Sequence, residues 1–195
     1  MSILKKFTKY YKPYKKIFYL DMFCALVVSA MDVAFPQILR LLTYGLFSET
    51  PQVIFQSIQW IASGLFATII VRLICQYYIT NRGHVMGAKM ESDMREDLFY
   101  HLQKLSFSYY DRNNTGEMMS KIVSDLFDIS ELAHHGPENI VISLIKIIGS
   151  FVLMMMINVP MTLILLVVTV IMAVFSIYNN KKMHAVFMDN RKEIA

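Results

Sequence analysis

Four titratable side chains lie close together in the sequence at a spacing that suits metal binding. His134 and His135 follow Glu131 by three and four residues, and Glu138 follows the two histidines at the same separations. Such residues share one face of an α-helix, and imidazole and carboxylate groups are ligands of zinc. No cysteine lies nearby and a very apolar run follows directly, so we predict that this cluster holds no metal. The other histidines, His84, His101 and His184, are isolated in the sequence.

Motifs of catalytic sites are absent from the sequence. The seven glycines are scattered and form no Gly-rich phosphate loop of the Walker type. No Ser-His-Asp or Cys-His arrangement for a nucleophile lies outside the apolar runs, and Cys24 and Cys75 both lie within them. We therefore predict no catalytic residues in this chain.

Polar side chains interrupt the first two apolar runs. Asp32, Gln37 and Arg40 lie in the first run, and Gln59 lies near the start of the second. Because an ionisable group at membrane depth needs a partner or a water-filled cavity, these four residues are candidates for a substrate cavity. Alternatively, Asp32 and Arg40 bond to neighbouring helices or snorkel. Asp32 is the only carboxylate clearly at depth, whereas three cations lie there: Arg40, Arg72 and Lys146.

A long polar interval separates the first two apolar runs from the last two, and its centre is the segment Ser106–Asp125, which we call the corner. Residues 111–116 are a run of turn-forming residues, and Asn and Asp side chains compete with backbone pairing. We predict that this run is the only strong helix break of the interval. Apolar and aromatic side chains flank it on both sides: Phe107, Tyr109, Tyr110, Met118, Met119 and Ile122.

The corner resembles the first intracellular loop of ABC exporters, the ATP-driven half-transporters with six membrane helices and a nucleotide-binding domain. The matching residues are Arg95, Leu98, Leu102, Leu105, Phe107, Tyr110, Asp111, Thr115, Gly116, Glu117, Ser120 and Asp125. The resemblance covers about Leu4 to Ala195 and implies that the corner is a coupling helix resting on the ATPase domains. The contact residues it implies are Phe107, Tyr109, Tyr110, Asp111, Thr115, Gly116 and Glu117.

The resemblance also implies the rest of the molecule. Residues 1–16 would be an interfacial elbow helix, and residues 17–195 the first part of a type 1 exporter transmembrane domain. Two further spans, a second coupling helix, the domain that binds ATP and Mg²⁺, and a second half-transporter would complete it. The substrate would be a small molecule, lipid or peptide. An alternative that needs none of these is a non-enzymatic four-span membrane protein, or a regulatory subunit, that binds a cytoplasmic partner at the corner.

Composition independently predicts an integral membrane protein, and the apolar runs are long enough to cross a bilayer as helices, so the expected fold class is all-α. Hydrophobic residues make up 55% of the 195 residues and the mean hydropathy is +0.43, too apolar for an ordinary soluble surface. The net charge of +4 does not indicate nucleic-acid binding, because the lysines cluster beside the apolar runs.

The apolar runs predict four spans with an intracellular loop over residues 81–138. We place the spans at about residues 17–46, 55–80, 139–157 and 161–178. An apolar stripe from Met86 to Leu105 predicts that the second span continues into the cytoplasm as a helix, and residues 81–105 would extend it by about 37 Å. Met119, Ile122, Leu126, Ile129 and Ala133 form a returning stripe, and the two stripes should pack as an antiparallel pair.

Positive charges predict the topology. The first 16 residues carry six lysines and the segment after the fourth span carries Lys181, Lys182, Arg191 and Lys192, whereas the short loops near Glu49 and Asn158 carry no cation. Cations favour the cytoplasmic side, so both ends of this segment should be cytoplasmic, in a plasma (inner) membrane protein. We place Asp21 near the inner headgroups, where a charge costs little.

Overall fold

The computed structural model describes the backbone of residues 7–46 and 51–194, and their side chains except at positions 46, 51–57, 117, 121, 185 and 187–194. The described part is helical and contains four segments long and apolar enough to cross a membrane: Lys15–Gly45, Ile58–Leu102, Met118–Ile157 and Val159–His184. The prediction of an all-α membrane protein with four spans is therefore confirmed. The chain divides into two units, Met1–Ile147 and Ile148–Ala195.

The first span is helix α1, Lys15–Leu46, close to the predicted 17–46. Ahead of it, the described part of the predicted elbow is only a short 3₁₀ helix, Thr8–Tyr11. Pro13 lies in the turn that leads into α1, because its fixed φ suits a turn. Residues 12–14 are not helical, residues 1–6 lie outside the described residues, and the interfacial elbow helix stays a prediction.

Helix α2 spans Pro51–Leu102 without a break. Proline is well suited to this first position, because its missing N–H would have no helical partner there. At about 1.5 Å per residue the helix is about 78 Å long, more than twice the thickness of a bilayer core of about 30 Å. The predicted helical continuation of the second span is confirmed as far as Leu102. The predicted outer loop around Glu49 lies outside the described residues.

The chain returns through the short helices α3, Phe107–Arg112, and α4, Thr115–Ser120, and a π-helical turn, Lys121–Asp125. Helix α5, Leu126–Ile157, then runs into the third span. The membrane helices α1 and α5 contain Pro36 and Pro137 in their interiors, as membrane helices often do.

Within the second unit, α5 ends and helix α6, Val159–Ile194, begins after a single residue. The side chain of Asn158 caps the new helix, because its Oδ1 accepts a hydrogen bond from the backbone N–H of Met161 at 3.1 Å. The carbonyl of Asn158 accepts a second bond from the Thr162 hydroxyl at 2.8 Å. The short loop predicted near Asn158 is therefore a single residue.

Two apolar clusters hold the first unit together. One joins α1 to α2 through Cys24, Ala25, Val28, Cys75 and Ile79, with Ile142 of α5 packed against it. The other joins Met86 and Met90 of α2 to Ala133 of α5. Aromatic side chains before α1 and in its first turn cover the second cluster: Phe7, Tyr10, Tyr11, Tyr14 and Phe18.

Three tyrosine hydroxyls fasten this aromatic cover. Tyr10 donates to Asp97 at 2.8 Å, Tyr14 donates to Asp93 at 2.9 Å, and Tyr11 donates to the carbonyl of Ala133 at 2.6 Å. The aromatic face of the segment before α1 therefore packs on protein.

Two glycines of α2, Gly83 and Gly87, let the neighbouring helices approach closely. A Cβ atom at Gly87 would lie 2.6 Å from Nδ1 of His134, and one at Gly83 would lie 3.6 Å from Oδ1 of Asp21. Asp21 is fully buried, and neither carboxylate oxygen has a hydrogen-bond partner among the described residues. The prediction that the charge of Asp21 costs little is wrong, because the packing of α1 on α2 encloses the carboxylate. Its position near the inner headgroups stays a prediction.

Candidate functional site: the corner

The first break of the corner comes earlier than the sequence predicts. Helix α2 ends at Leu102, and Ser106 is extended, with φ −72° and ψ 155°, before α3 begins. The hydroxyl of Tyr110 donates to the carbonyl of Leu102 at 2.6 Å, and the same carbonyl also accepts from the backbone N–H of Leu105 at 3.0 Å. The prediction of a single break at residues 111–116 is therefore wrong. The sequence contains no glycine or proline at the first break, so the break could not be predicted from it. The side chain of Tyr110, from the next helix, stabilises the break.

The second break lies at Asn113 and Asn114, inside the predicted run of turn formers. The amide of Asn113 donates to the carbonyl of Tyr109 at 2.8 Å, and the backbone N–H of Gly116 donates to Oδ1 of Asn114 at 2.8 Å. One asparagine thus ends α3 and the other begins α4, which is the competition with backbone pairing that the sequence indicates.

The predicted contact residues have different surroundings. The side chain of Phe107 is 91% exposed at the start of α3, and Tyr109 is 39% exposed. Tyr110 is half-buried and packs edge-on against Tyr109, with ring centroids 5.8 Å apart. Asp111, Thr115 and Gly116 are exposed, and the side chain of Glu117 lies outside the described residues.

An open apolar hollow of ≈190 Å³ lies between the end of α2 and the returning chain. Its lining residues are Phe99, Leu102, Gln103, Tyr110, Thr115, Met118, Met119 and Ile122. The three segments of the corner therefore share one apolar interior, and Phe107 is not part of it.

The corner is also tied to α2 further along the chain. Nε of Arg95 donates to the carbonyl of Ile122 at 3.4 Å, and the guanidinium pairs with Glu91. The Ser130 hydroxyl lies 3.5 Å from Glu91, and Ala133 packs on Met90. Residue numbers thus increase along the returning chain while those of their partners decrease along α2. The two segments are therefore antiparallel, and the predicted antiparallel pair is confirmed.

The candidate cavity residues are not brought together. Asp32 pairs with Arg72 of α2 at 3.1 Å and with Lys146 of α5 at 2.7 Å. Gln37 is half-buried, Arg40 and Gln59 are exposed, and no ion pair joins Asp32 to Arg40 in the described ranges. The structure thus places Asp32 in bonds to neighbouring helices, the alternative that the sequence left open.

Comparison with known proteins gives the family. The sequence model of a protein family, the ABC transporter transmembrane region, matches residues 18–195. This chain belongs to that family. The resemblance found in the corner, and the fold it implies, are therefore confirmed, and this ABC transmembrane region is part of an integral, multi-pass membrane protein.

Curated relatives carry transport names. The chain is 41% identical to an ABC transporter ATP-binding protein of Bacillus subtilis, YwjA, over 98% of this chain and 33% of the relative. It is 28% identical to a putative multidrug export ATP-binding/permease protein of the same species, YgaD, over 86% of this chain and 29% of the relative. It is also 28% identical to an ATP-dependent lipid A-core flippase of Idiomarina loihiensis, over 67% of this chain and 22% of the relative. The chain thus spans about a third or less of the length of these relatives.

Proposed function

We propose that this transmembrane region is the N-terminal permease part of an ATP-driven exporter, and that α3 receives the movement of docked nucleotide-binding domains. The exposed ring of Phe107 carries this proposal. A large aromatic side chain that fits a partner's pocket is a typical anchor of an interface, and the corner that presents it is braced internally by Tyr110 and Arg95.

The proposed mechanism is mechanical. A rigid-body displacement at α3 would be carried by α2, which has no break between the corner and the membrane. The ion pairs of Asp32 with Arg72 and Lys146 would pass the movement on to α1 and α5.

ATP and Mg²⁺ do not fit any residues of this chain, because it has no Gly-rich phosphate loop. We assign them to the nucleotide-binding domains. Since relatives are named for multidrug export and for a lipid A-core flippase, we propose an amphipathic substrate of that kind. We further propose a second half-transporter as partner, a plasma-membrane location, and cytoplasmic ends for this segment.

The test is Phe107→Ala in the reconstituted transporter, with Phe127→Ala as the matched control. Phe127 is 53% exposed on α5 and does not belong to the corner. Truncating an anchor costs about 1–3 kcal/mol of docking, so Phe107→Ala should lose transport and substrate-stimulated ATPase activity about tenfold or more, at unchanged thermal stability.

A disulfide between Phe107→Cys and a cysteine of the nucleotide-binding domain would locate the contact directly. Equal activity of Phe107→Ala, Phe127→Ala and the unchanged transporter would contradict the proposal. A corner that captures another cytoplasmic protein and does not affect ATPase activity would favour the four-span binding protein instead.

A further inference from the structure

Three histidines from two distant parts of the chain meet where α2 and α5 cross. Nε2 of His134 lies 3.1 Å from Nδ1 of His84, although 50 positions separate them in the sequence. One ring nitrogen of His135 joins them, so that the three ligand atoms lie within 4.8 Å of one another. His84, isolated in the sequence, is therefore part of a cluster in the structure.

Hydrogen bonds determine which ring nitrogen carries the proton in His134 and in His135. Nδ1 of His134 lies 2.9 Å from the carbonyl of Ser130, and since a carbonyl only accepts, this nitrogen carries the proton. Nδ1 of His135 lies 3.3 Å from Oε2 of Glu138, a carboxylate that likewise accepts. Nε2 of each neutral ring then carries the lone pair, as is usual for histidines that bind a metal. In this structure the lone pair of His134 accepts a hydrogen bond from Nδ1 of His84 at 3.1 Å, and metal binding would replace this bond.

A fourth ligand faces the same point. Oε1 of Glu131 lies 4.0 Å from Nε2 of His134, and Oε2 lies 3.7 Å from Nε2 of His135. The second distance is longer than a hydrogen bond and separates two groups that both offer lone pairs. A cation between them would satisfy both.

The surroundings favour positive charge. Asp21 is fully buried with neither oxygen hydrogen-bonded among the described residues, and it approaches the backbone of α2 at Gly83, which His134 also approaches. A buried carboxylate without a partner is costly, so a cation nearby would offset part of this cost.

The sequence alone predicts no metal at Glu131, His134 and His135, but it does not show that His84 joins them. We propose that His84, His134, His135 and Glu131 bind a divalent transition metal of the zinc type. Zinc takes four such ligands in a tetrahedron with Zn–N distances of about 2.0–2.1 Å, which places two ligand nitrogens about 3.3 Å apart. The 3.1 Å between His134 and His84 is close to this separation. The exposed carboxylate of Glu131 needs only a small rotation to complete the set.

The metal joins α2 to α5, the two helices that connect the corner to the membrane. The inference goes beyond the proposed transport function and does not depend on it. Because the two rings from α5 lie on one helix and the third comes from α2, the ion would act as a cross-link between the helices and raise the thermal stability of the pair.

The test uses the purified full chain with an affinity tag free of histidine, treated with a chelator and kept free of nucleotide. Zn²⁺ binding is measured by calorimetry, and Co²⁺ is added as a spectroscopic probe of tetrahedral geometry. His84→Ala and His135→Ala each remove a ligand from a partly or fully exposed position, so they should fold. His101→Ala, an exposed position elsewhere on α2, is the matched control.

We expect one Zn²⁺ per chain, the visible bands of tetrahedral Co²⁺, and a thermal shift on addition of Zn²⁺. His84→Ala and His135→Ala should each weaken binding about tenfold or more, while His101→Ala leaves it unchanged. The proposal is overturned if the unchanged chain binds Zn²⁺ no more tightly than the His84→Ala/His135→Ala double variant, or if Co²⁺ gives only octahedral bands.

Discussion

Phe107 and Tyr110 lie three residues apart on the same short helix and have opposite surroundings. Phe107 is almost fully exposed, whereas the Tyr110 hydroxyl bonds back to Leu102 and its ring lines the apolar hollow. The resemblance implies that both residues contact ATPase domains. The geometry suits Phe107 to reach a partner and suits Tyr110 to hold the corner in shape.

We predict that Gly87→Ala destabilises the protein and that Gly64→Ala does not. A Cβ atom at position 87 would lie 2.6 Å from Nδ1 of His134, whereas nothing lies within 4 Å of one at position 64. The clash should also disturb the bond from His134 to Ser130. In an open helical position, alanine is favoured over glycine by roughly 0.5–1 kcal/mol.

Thermal unfolding in detergent measures both variants of this pair. Gly87→Ala should lower Tm, and Gly64→Ala should leave it unchanged or raise it slightly. Equal shifts in the two variants would show that α2 and α5 do not approach closely at His134.

Tyr10 should ionise at unusually high pH. Burial, together with the hydrogen bond to Asp97 and the charges of Asp97 and Asp93, raises the pKa of Tyr10 from 10.0 to about 12. Because this folded-state pKa lies above the unfolded value, neutral Tyr10 contributes stability that is fully present below about pH 10. That contribution is lost as the pH rises through about 12.

The tyrosinate absorbance of the unchanged protein minus that of Tyr10→Phe isolates this titration. Its midpoint should lie near pH 12 in folded protein and return to about 10 in denaturant. A midpoint near 10 in folded protein would mean that the segment before α1 is not docked on α2.

At the scale of helices, Asp32 joins three of them. It bonds to Arg72 and Lys146, so α1, α2 and α5 share one group of charges within their apolar segments. A charge in lipid without a partner is costly, which explains why the cations of two helices converge on the one carboxylate.

We predict that Asp32→Asn lowers the Tm of the protein, since it leaves two cations without a carboxylate. The loss should be smaller in a Lys146→Met background, with a coupling energy of about 0.5–3 kcal/mol between the two positions. A double-mutant cycle on thermal stability gives this value. Unchanged stability with altered substrate stimulation would instead identify Asp32 as a cavity residue.

Tyr110→Phe should loosen the corner without removing apolar area. The variant loses only the hydroxyl that bonds to Leu102, and a hydrogen bond contributes about 0.5–1.5 kcal/mol. We expect faster amide hydrogen exchange at residues 103–112 and no change around Ile79. Protection equal to that of the unchanged protein at residues 103–112 would mean that the first break does not depend on Tyr110.

At the scale of the whole molecule, the prediction is topological. A single cysteine at Gly116 should be inaccessible to an impermeant thiol reagent from outside intact cells, whereas one at Asn158 should react. The background lacks Cys24 and Cys75, which are buried in the cluster between α1 and α2. Labelling of position 116 from outside would reverse the proposed orientation.

Local patterns in the sequence were sufficient to predict the long helices and the second break of the corner. The length of the apolar runs predicts the four spans, and the spacing of Met86, Met90 and Met94 predicts a helix that continues beyond the membrane. Asn113 and Asn114 predict the second break of the corner. Each of these features depends on residues close together in the chain, where helical periodicity and competition from side chains act directly.

The tertiary structure decided which distant residues meet. It placed Asp32 against Arg72 and Lys146, His84 against His134, and the hydroxyl of Tyr110 at the end of α2. It also buried Asp21 without a hydrogen-bonding partner among the described residues. Apart from the Tyr110 contact within the corner, these contacts depend on the register between α1, α2 and α5, which is set by the packing of small residues such as Gly87 against neighbouring helices. Periodicity along one helix carries no information about that register.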